Sequence, residues 1–86
     1  MKTTLDELLA FRTVVDTGSI SAAAGHLEQT SSGISRALSR LEQKLNTTLM
    51  RRTTRRLELT EEGQLFLARA RAILQSVDAA EDELAC

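Results

Sequence analysis

The chain has 86 residues, a net charge of −1 and a single cysteine, Cys86. This length suits one small domain, and a lone cysteine cannot close an internal disulfide, so we expect a cytoplasmic protein. The sequence contains neither a run of about 18 apolar residues nor a basic-then-apolar leader, which argues against a membrane or secreted protein. The absence of proline and an aromatic content of 2% favour a mainly helical fold.

Basic residues are concentrated in one part of the sequence. Residues 36–56 contain seven lysines and arginines and one acid, Glu42, which gives a local charge of +6. The remaining four basic residues and eleven acids give −7, so the overall charge hides the clustering. A basic cluster of this kind is typical of a surface that binds nucleic acid.

The first predicted helix extends from about Leu5 to Thr17. Thr4 and Glu7 have the spacing of a capping box, in which the side chain of each residue binds the backbone N–H of the other. Gly18 follows the helix and can adopt the left-handed backbone conformation that often ends one. Apolar residues recur along one broad face, so we expect a core helix.

The next two predicted helices are joined by a short turn. Ser19 can cap a helix from Ile20 to about Leu27, whose three consecutive alanines allow another helix to approach closely. A turn then leads to Thr30, which can cap a longer helix ending at Leu45. Two helices in this arrangement form a helix-turn-helix.

The longer helix, over residues 31–45, has two different faces. Its apolar stripe consists of Ile34, Leu38, Leu41 and Leu45. Its other side carries Ser31, Ser32, Ser35, Arg36, Ser39, Arg40 and Gln43. Serines keep a helix close to whatever it contacts, and arginine donates to phosphate or to a guanine edge. This face is therefore either a surface for a large anionic partner or an ordinary solvated surface in which serines occur by chance.

Two short strands are predicted next, at Thr47–Met50 and Leu57–Leu59. Between them lie Arg51, Arg52, Arg55 and Arg56, separated by two threonines. A β-hairpin beside a helix-turn-helix forms a wing. Four arginines without an acid favour contact with nucleic acid over the alternative, a solubilising loop.

A long last helix is predicted to begin after Thr60 and to run to the end of the chain, about 25 residues or ~37 Å. Gly63 weakens a helix in its first turn, which indicates close contact with another backbone. A heptad seam follows the helix at Phe66, Ala70, Ile73, Val77, Ala80 and Leu84. The seam predicts a helix pair in a homodimer, since a domain this small cannot cover so long a helix. The alternative is that the seam packs wholly within its own domain.

One set of residues, spread over nearly the whole chain, has a specific combined spacing. It comprises Gly18-Ser19-Ile20-Ser21-Ala22-Ala23-Ala24, Leu27, Ile34-Ser35-Arg36, Leu41-Glu42, Leu45, Leu49, Arg52, Leu59-Thr60 and Gly63. The pattern resembles the amino-terminal domain of LysR-type transcriptional regulators. The resemblance implies a winged helix-turn-helix over 1–59 and a dimerising linker helix over 60–86. It also implies binding of double-stranded DNA as a dimer or tetramer, and a larger carboxy-terminal domain that senses a small-molecule effector. Because the chain stops within a helical pattern, we expect that it is a fragment without that domain.

The resemblance and the residue types together predict the DNA contacts. The expected contact residues are Ser19, Thr30, Ser31, Ser32, Ser35, Arg36, Ser39, Arg40, Arg52, Arg55 and Arg56. Arg36 is expected to read a guanine, and Arg40 and Arg52 to hold phosphates. Arg55 and Arg56 are expected to reach a minor groove or its flanking backbone. Ser31 stands where family members often have a base-reading glutamine.

Two other function classes compete with this interpretation. A helical protein-interaction module could use the same basic face to dock an acidic partner. An enzyme is the weaker alternative, since the chain has one histidine and neither clustered metal ligands nor a glycine-rich phosphate loop. We therefore expect no metal, no cofactor and no catalytic residue.

Overall fold

The computed structural model describes residues 1–52 and 57–85, which form four helices and two strands. These elements are α1 (Leu5–Thr17), α2 (Ile20–Leu27), α3 (Ser31–Leu45), β1 (Met50–Arg52), β2 (Leu57–Leu59) and α4 (Glu61–Ala85). The order confirms the predicted fold, a mainly helical winged helix-turn-helix followed by a long helix. The predicted wing residues Arg55 and Arg56 lie outside the described part of the chain.

The helix ends follow the predicted capping chemistry. At α1 the Thr4 hydroxyl accepts from the Glu7 N–H at 3.2 Å, and the Glu7 carboxylate accepts from the Thr4 N–H at 2.9 Å. Gly18 ends this helix with φ of 83°. Asn46 ends α3 with φ of 51°, a left-handed conformation that asparagine adopts more readily than most residues. The capping box and both helix ends are thereby confirmed.

The core lies between α1 and α3, with α2 and the first half of α4 packed around it. Phe11, Val14, Ile34 and Leu41 are its fully buried large apolar side chains. Ala23 of α2 is also fully buried, as expected where helices approach closely. In this packing one face of α3 remains outside the core.

The wing strands pair antiparallel, but the first begins later than predicted. Met50 pairs with Leu59 and Arg52 with Leu57, so the prediction of a strand at 47–50 is wrong at both ends, and Arg51 and Arg52 belong to the strand. The backbone groups of Leu49 are already used elsewhere. Its N–H donates to the Glu42 carboxylate at 2.7 Å, and its carbonyl accepts from the Thr60 N–H at 3.0 Å. Pairing with β2 therefore starts one residue further on.

Helix α4 contacts the core through a glycine and then extends past it. A Cβ atom built on Gly63 would collide with the carbonyl oxygen of Leu49, which confirms the predicted close backbone contact. Gly63, Ala70 and Leu74 are the buried positions of α4. From residue 78 to residue 85 every position of the helix is exposed. In the described residues no helix is both long enough and apolar enough to cross a membrane.

The burial of α4 corrects part of the predicted dimer seam. Ala70 is 0% exposed, so it offers no surface to a second copy. Phe66 is half-buried, and its ring lies 5.9 Å from the ring of Phe11. For Ala70 the alternative applies, namely packing within the chain's own domain, whereas Phe66 packs on the core and also keeps exposed surface. The seam residues Ile73 and Leu84 are exposed.

Candidate nucleic-acid interface

Helix α3 divides into a buried stripe and an exposed polar face. Ile34, Leu38 and Leu41 lie in the core together with Ala37. Ser31, Ser32, Arg36, Ser39 and Arg40 are exposed on the other side, and Ser35 is half-buried. The sequence predicted this division from helical periodicity alone. The hydroxyls and guanidiniums are therefore available to a partner outside the domain.

Two of the predicted contact residues also serve as helix caps. The Ser19 hydroxyl accepts from the Ala22 N–H at 3.0 Å, and the Thr30 hydroxyl accepts from the Gly33 N–H at 3.0 Å. A capping hydroxyl uses its oxygen as acceptor and can still donate its hydrogen. Ser19 and Thr30 therefore place the starts of α2 and α3, and each retains a donor for a further contact.

One hydrogen bond joins the wing to α3. The Arg52 guanidinium, at the end of β1, donates to the Ser35 hydroxyl at 3.0 Å. A shallow groove runs beside this bond. It is lined by Ile20, Ser31, Ser32, Ser35, Arg36 and Arg52. Five of the predicted contact residues, one of them from the wing, thus share one surface.

A buried carboxylate of α1 lies against the carboxy-terminal half of α3. The sequence analysis missed this contact. Glu7 of α1 is 1% exposed, and both of its oxygens accept from the Lys44 Nζ at 2.9 Å. One of them also accepts from the Arg40 Nε at 3.4 Å, while 58% of the Arg40 side chain stays exposed. The predicted phosphate contact at Arg40 therefore comes from a residue that already has a partner within the chain.

A sequence signal for this cluster existed. Glu7, Phe11 and Val14 have the i, i+4, i+7 spacing of one helix face, and that face is the core face of α1. A carboxylate placed there must be paired, because an unpaired buried charge is costly. The capping box accounted for Glu7 in the sequence analysis and hid its second role.

The ionisation of Glu7 follows from these contacts. Burial alone would raise the pKa of its carboxyl above the usual 4.5. The hydrogen bonds from Lys44, from the Thr4 N–H and from Arg40, with the charge of Lys44, outweigh burial and lower the pKa to about 2. Glu7 is therefore an anion at neutral pH, and the cluster of Glu7, Arg40 and Lys44 carries a net charge of +1.

The rest of the described basic surface is exposed and lies along α3 and β1. Arg36, Arg51 and Arg52 are exposed. In residues 1–52 and 57–85, no group of three or more His, Cys, Asp and Glu is placed to hold a metal ion. The arrangement presents hydroxyl and guanidinium donors on a convex helix, which suits recognition of an anionic polar surface.

Comparison with known proteins assigns the family. Residues 5–64 match the model of the bacterial regulatory helix-turn-helix proteins of the LysR family. The chain belongs to the LysR family. Its helix-turn-helix, wing and the start of α4 all fall within the matched residues.

Two curated relatives show how much of a LysR-family protein this chain represents. The HTH-type transcriptional regulator CrgA of Neisseria meningitidis is 50% identical over 84 residues, which cover 98% of this chain and 28% of CrgA. The HTH-type transcriptional activator AaeR of Escherichia coli is 36% identical over 80 residues, which cover 93% of this chain and 26% of AaeR. The chain thus spans 28% or less of the length of these two relatives.

Solved structures of LysR-family domains superimpose closely on this one. BenM DBD in a complex with catB site 1 DNA aligns with a TM-score of 0.90 at 31% identity, over 94% of this chain and 91% of that chain. CbnR DBD in a DNA complex aligns with a TM-score of 0.86 at 34% identity, over 93% of this chain and 92% of that chain. The CrgA structure aligns with a TM-score of 0.82 at 49% identity, over 96% of this chain and 28% of that chain.

Proposed function

We propose that this chain binds double-stranded DNA sequence-specifically, as the DNA-binding part of a LysR-type transcriptional regulator. One observation carries the proposal. The face of α3 bearing Ser31, Ser32, Arg36 and Ser39 is exposed, in a domain that superimposes on two structures solved with DNA. In this proposal the chain acts in the cytoplasm on the nucleoid and has no enzymatic activity. An acidic protein partner is not favoured, since the named relatives are transcriptional regulators.

In this proposal α3 enters the major groove with its amino-terminal half. Ser31, Ser32, Ser35 and Ser39 face base edges and nearby phosphates, and Ser19 presents the start of α2 to a phosphate. Arg36 reads a guanine, because a guanidinium can donate twice to its O6 and N7 atoms. Arg36 is exposed, so its side chain is accessible to such a base.

Phosphate contacts then flank the base contacts on both sides. Arg52 lies beside Ser35 and can reach the backbone next to the groove. Arg40 presents the exposed part of its side chain to the other flank. The sequence expectation for Arg55 and Arg56, a minor groove or its flanking backbone, completes the contact set.

Dimerisation belongs to the face of α4 that its own core leaves uncovered. Leu84 is 89% exposed and Ile73 is 44% exposed, and the two lie on the same side of the helix. Val77 and Ala80 continue this side, so the proposed interface keeps four members of the predicted seam. The helix over 60–86 thereby joins two copies of the DNA-binding domain over 1–59. In the full-length protein, a tetramer and an effector-sensing domain are further expectations from the family.

Sedimentation of an Ile73→Glu variant tests this interface. A charge at an apolar contact is expected to shift the dimer to monomer at concentrations where the wild-type chain is dimeric. Gln75→Glu, which adds the same charge at an exposed position on the opposite side of α4, is the matched control and is expected to leave the dimer intact. An unchanged molar mass for Ile73→Glu would contradict the proposed face.

Selection of binding sites from random duplexes at physiological salt tests the proposed function. A dimer with two-fold symmetry is expected to enrich a pseudo-palindrome with a fixed half-site spacing. If each protomer neutralises about four phosphates, the plot of log affinity against log salt should have a slope near −7. Absence of any enriched motif, or a flat response to salt, would contradict the proposal.

A further inference from the structure

The Glu7 cluster divides the basic residues of α3 into two kinds. Lys44 donates to both oxygens of a carboxylate that is 1% exposed, so its charge is cancelled at short range. Arg36, two turns earlier, has no described partner among residues 1–52 and 57–85 and keeps its full charge. Arg40 lies between these two cases.

The orientation of Arg40 follows from which of its nitrogens is bound. Glu7 accepts from the Nε, at 3.4 Å, on the inner edge of the guanidinium. For the two terminal nitrogens the structure describes no partner in residues 1–52 and 57–85. A planar guanidinium that is held by Nε presents its outer edge away from that contact, and this edge can donate to a phosphate.

The buried anion also lowers the charge that this end of α3 offers to a polyanion. Without Glu7, Arg40 and Lys44 would present two positive charges on flexible side chains. With it, the cluster presents a net charge of +1 on the one side chain that is mostly exposed. Fewer and better-placed charges weaken sequence-independent attraction and favour one register on the duplex.

We propose that Glu7 is a positioning residue for DNA recognition, which cancels the charge of Lys44 and orients Arg40 toward a single phosphate. The inference rests on the proposed function and adds a residue of α1, outside the helix-turn-helix, to its determinants. Glu7 also belongs to the capping box of α1, so a merely structural role is the alternative that the test must separate.

A Glu7→Gln variant separates the two roles, because glutamine keeps an oxygen for the Thr4 N–H and loses the charge. Binding is measured by fluorescence anisotropy on the duplex selected above and on a scrambled duplex of equal length and composition. Positioning predicts tighter binding to the scrambled duplex, by roughly threefold, and a salt slope steeper by about 0.9 per protomer. The preference for the selected duplex should fall. Parallel weakening on both duplexes, with an unchanged slope, would overturn the proposal.

A double-mutant cycle adds a readout that is specific to the pair. Arg40→Gln is expected to weaken binding to the selected duplex roughly tenfold in the wild-type background, and by much less in the Glu7→Gln background. Arg36→Gln is the matched control, and its effect should be the same in both backgrounds. Equal effects of Arg40→Gln in the two backgrounds would overturn the proposal.

If Glu7→Gln does not fold, a variant of Arg40 tests the proposal with Glu7 unchanged. Arg40→Lys keeps the positive charge, but lysine lacks the planar group from which arginine donates to Glu7 through Nε and to a phosphate through its terminal nitrogens. It is expected to bind the selected duplex several-fold more weakly, whereas wild-type affinity would overturn the proposal.

If the wild-type chain shows no preference for any duplex, the proposed function fails. If it shows one and the cycle is additive, only the role of Glu7 fails.

Discussion

The two longest helices of this chain are buried in opposite ways. Helix α3 is buried on one side over its central part, from Ile34 to Leu41, and its other side is polar throughout. Helix α4 is buried only in its first half, and its second half leaves the domain with Leu84 exposed.

The difference shows which kind of partner each helix requires. A polar face on a rigidly packed helix recognises a polar partner, because its hydroxyls and guanidiniums keep their hydrogen-bonding capacity. An apolar side on a helix that projects from its domain is covered most effectively by another protein surface, here proposed as a second copy. In the proposed function, recognition and dimerisation therefore occupy separate helices, and we expect that each can be altered alone.

The largest expected effect comes from forcing α4 away from the core. Gly63→Ala places a Cβ against the carbonyl oxygen of Leu49, which belongs to the backbone and cannot rotate away. We expect destabilisation of roughly 3 kcal/mol, at the upper end of overpacking effects. Urea denaturation followed by circular dichroism measures it. Gly25→Ala is the control, since its Cβ would meet open space within α2, and it should stabilise by about 0.5–1 kcal/mol.

Acid should weaken the contact between α1 and α3 that Glu7 makes with Lys44 and Arg40. The pKa of Glu7 is about 2 in the folded chain, against a usual value of 4.5. A lowered pKa stabilises the fold above the usual value, and this contribution is lost as the pH falls through the folded value. The loss should be roughly 3 kcal/mol between pH 5 and pH 2. Denaturation of wild type and of Glu7→Gln across this range measures it, and identical pH profiles would contradict the assignment.

The exposed face of α3 is tested by Arg36→Ala. Removal of its guanidinium should cost about 1–3 kcal/mol of discrimination at one base pair and leave folding unchanged. Lys2→Ala removes one charge from an exposed residue outside the basic surface and is the control. Site selection with each variant measures the effect. A variant that retains the wild-type preference at every position would show that Arg36 reads no base.

The smallest expected effect concerns the ion pair that joins α1 to α4. The Arg71 guanidinium donates to the Asp16 carboxylate at 2.7 Å, and this hydrogen bond lowers the pKa of Asp16. Both side chains are about half exposed, so Asp16→Asn should cost only about 0.2–1 kcal/mol at neutral pH, and less in high salt. Asp78→Asn, in the exposed half of α4, is the control. A cost of several kcal/mol in urea denaturation would show that this contact carries more of the joint than its exposure suggests.

Local patterns in the sequence determined most of the fold. The bounds of α1, α2 and α3, with the caps at Thr4, Ser19 and Thr30, follow from residue spacing because helix ends and helix faces depend on neighbours within a few residues. The close approach at Gly63 was also predictable, since glycine near a helix start weakens the helix unless another backbone needs the space. The outward face of α3 follows from the same periodicity.

Only the tertiary structure decided the contacts between distant segments. The start of β1 depends on Glu42, whose carboxylate takes the Leu49 N–H, and the burial of Ala70 depends on how α4 lies on the core. The pairing of Glu7 with Lys44 spans 37 residues, and its two helices meet only after the chain has folded. Periodicity predicts which face of a helix is buried, but it does not predict which charged residue from a distant part of the sequence packs against that face.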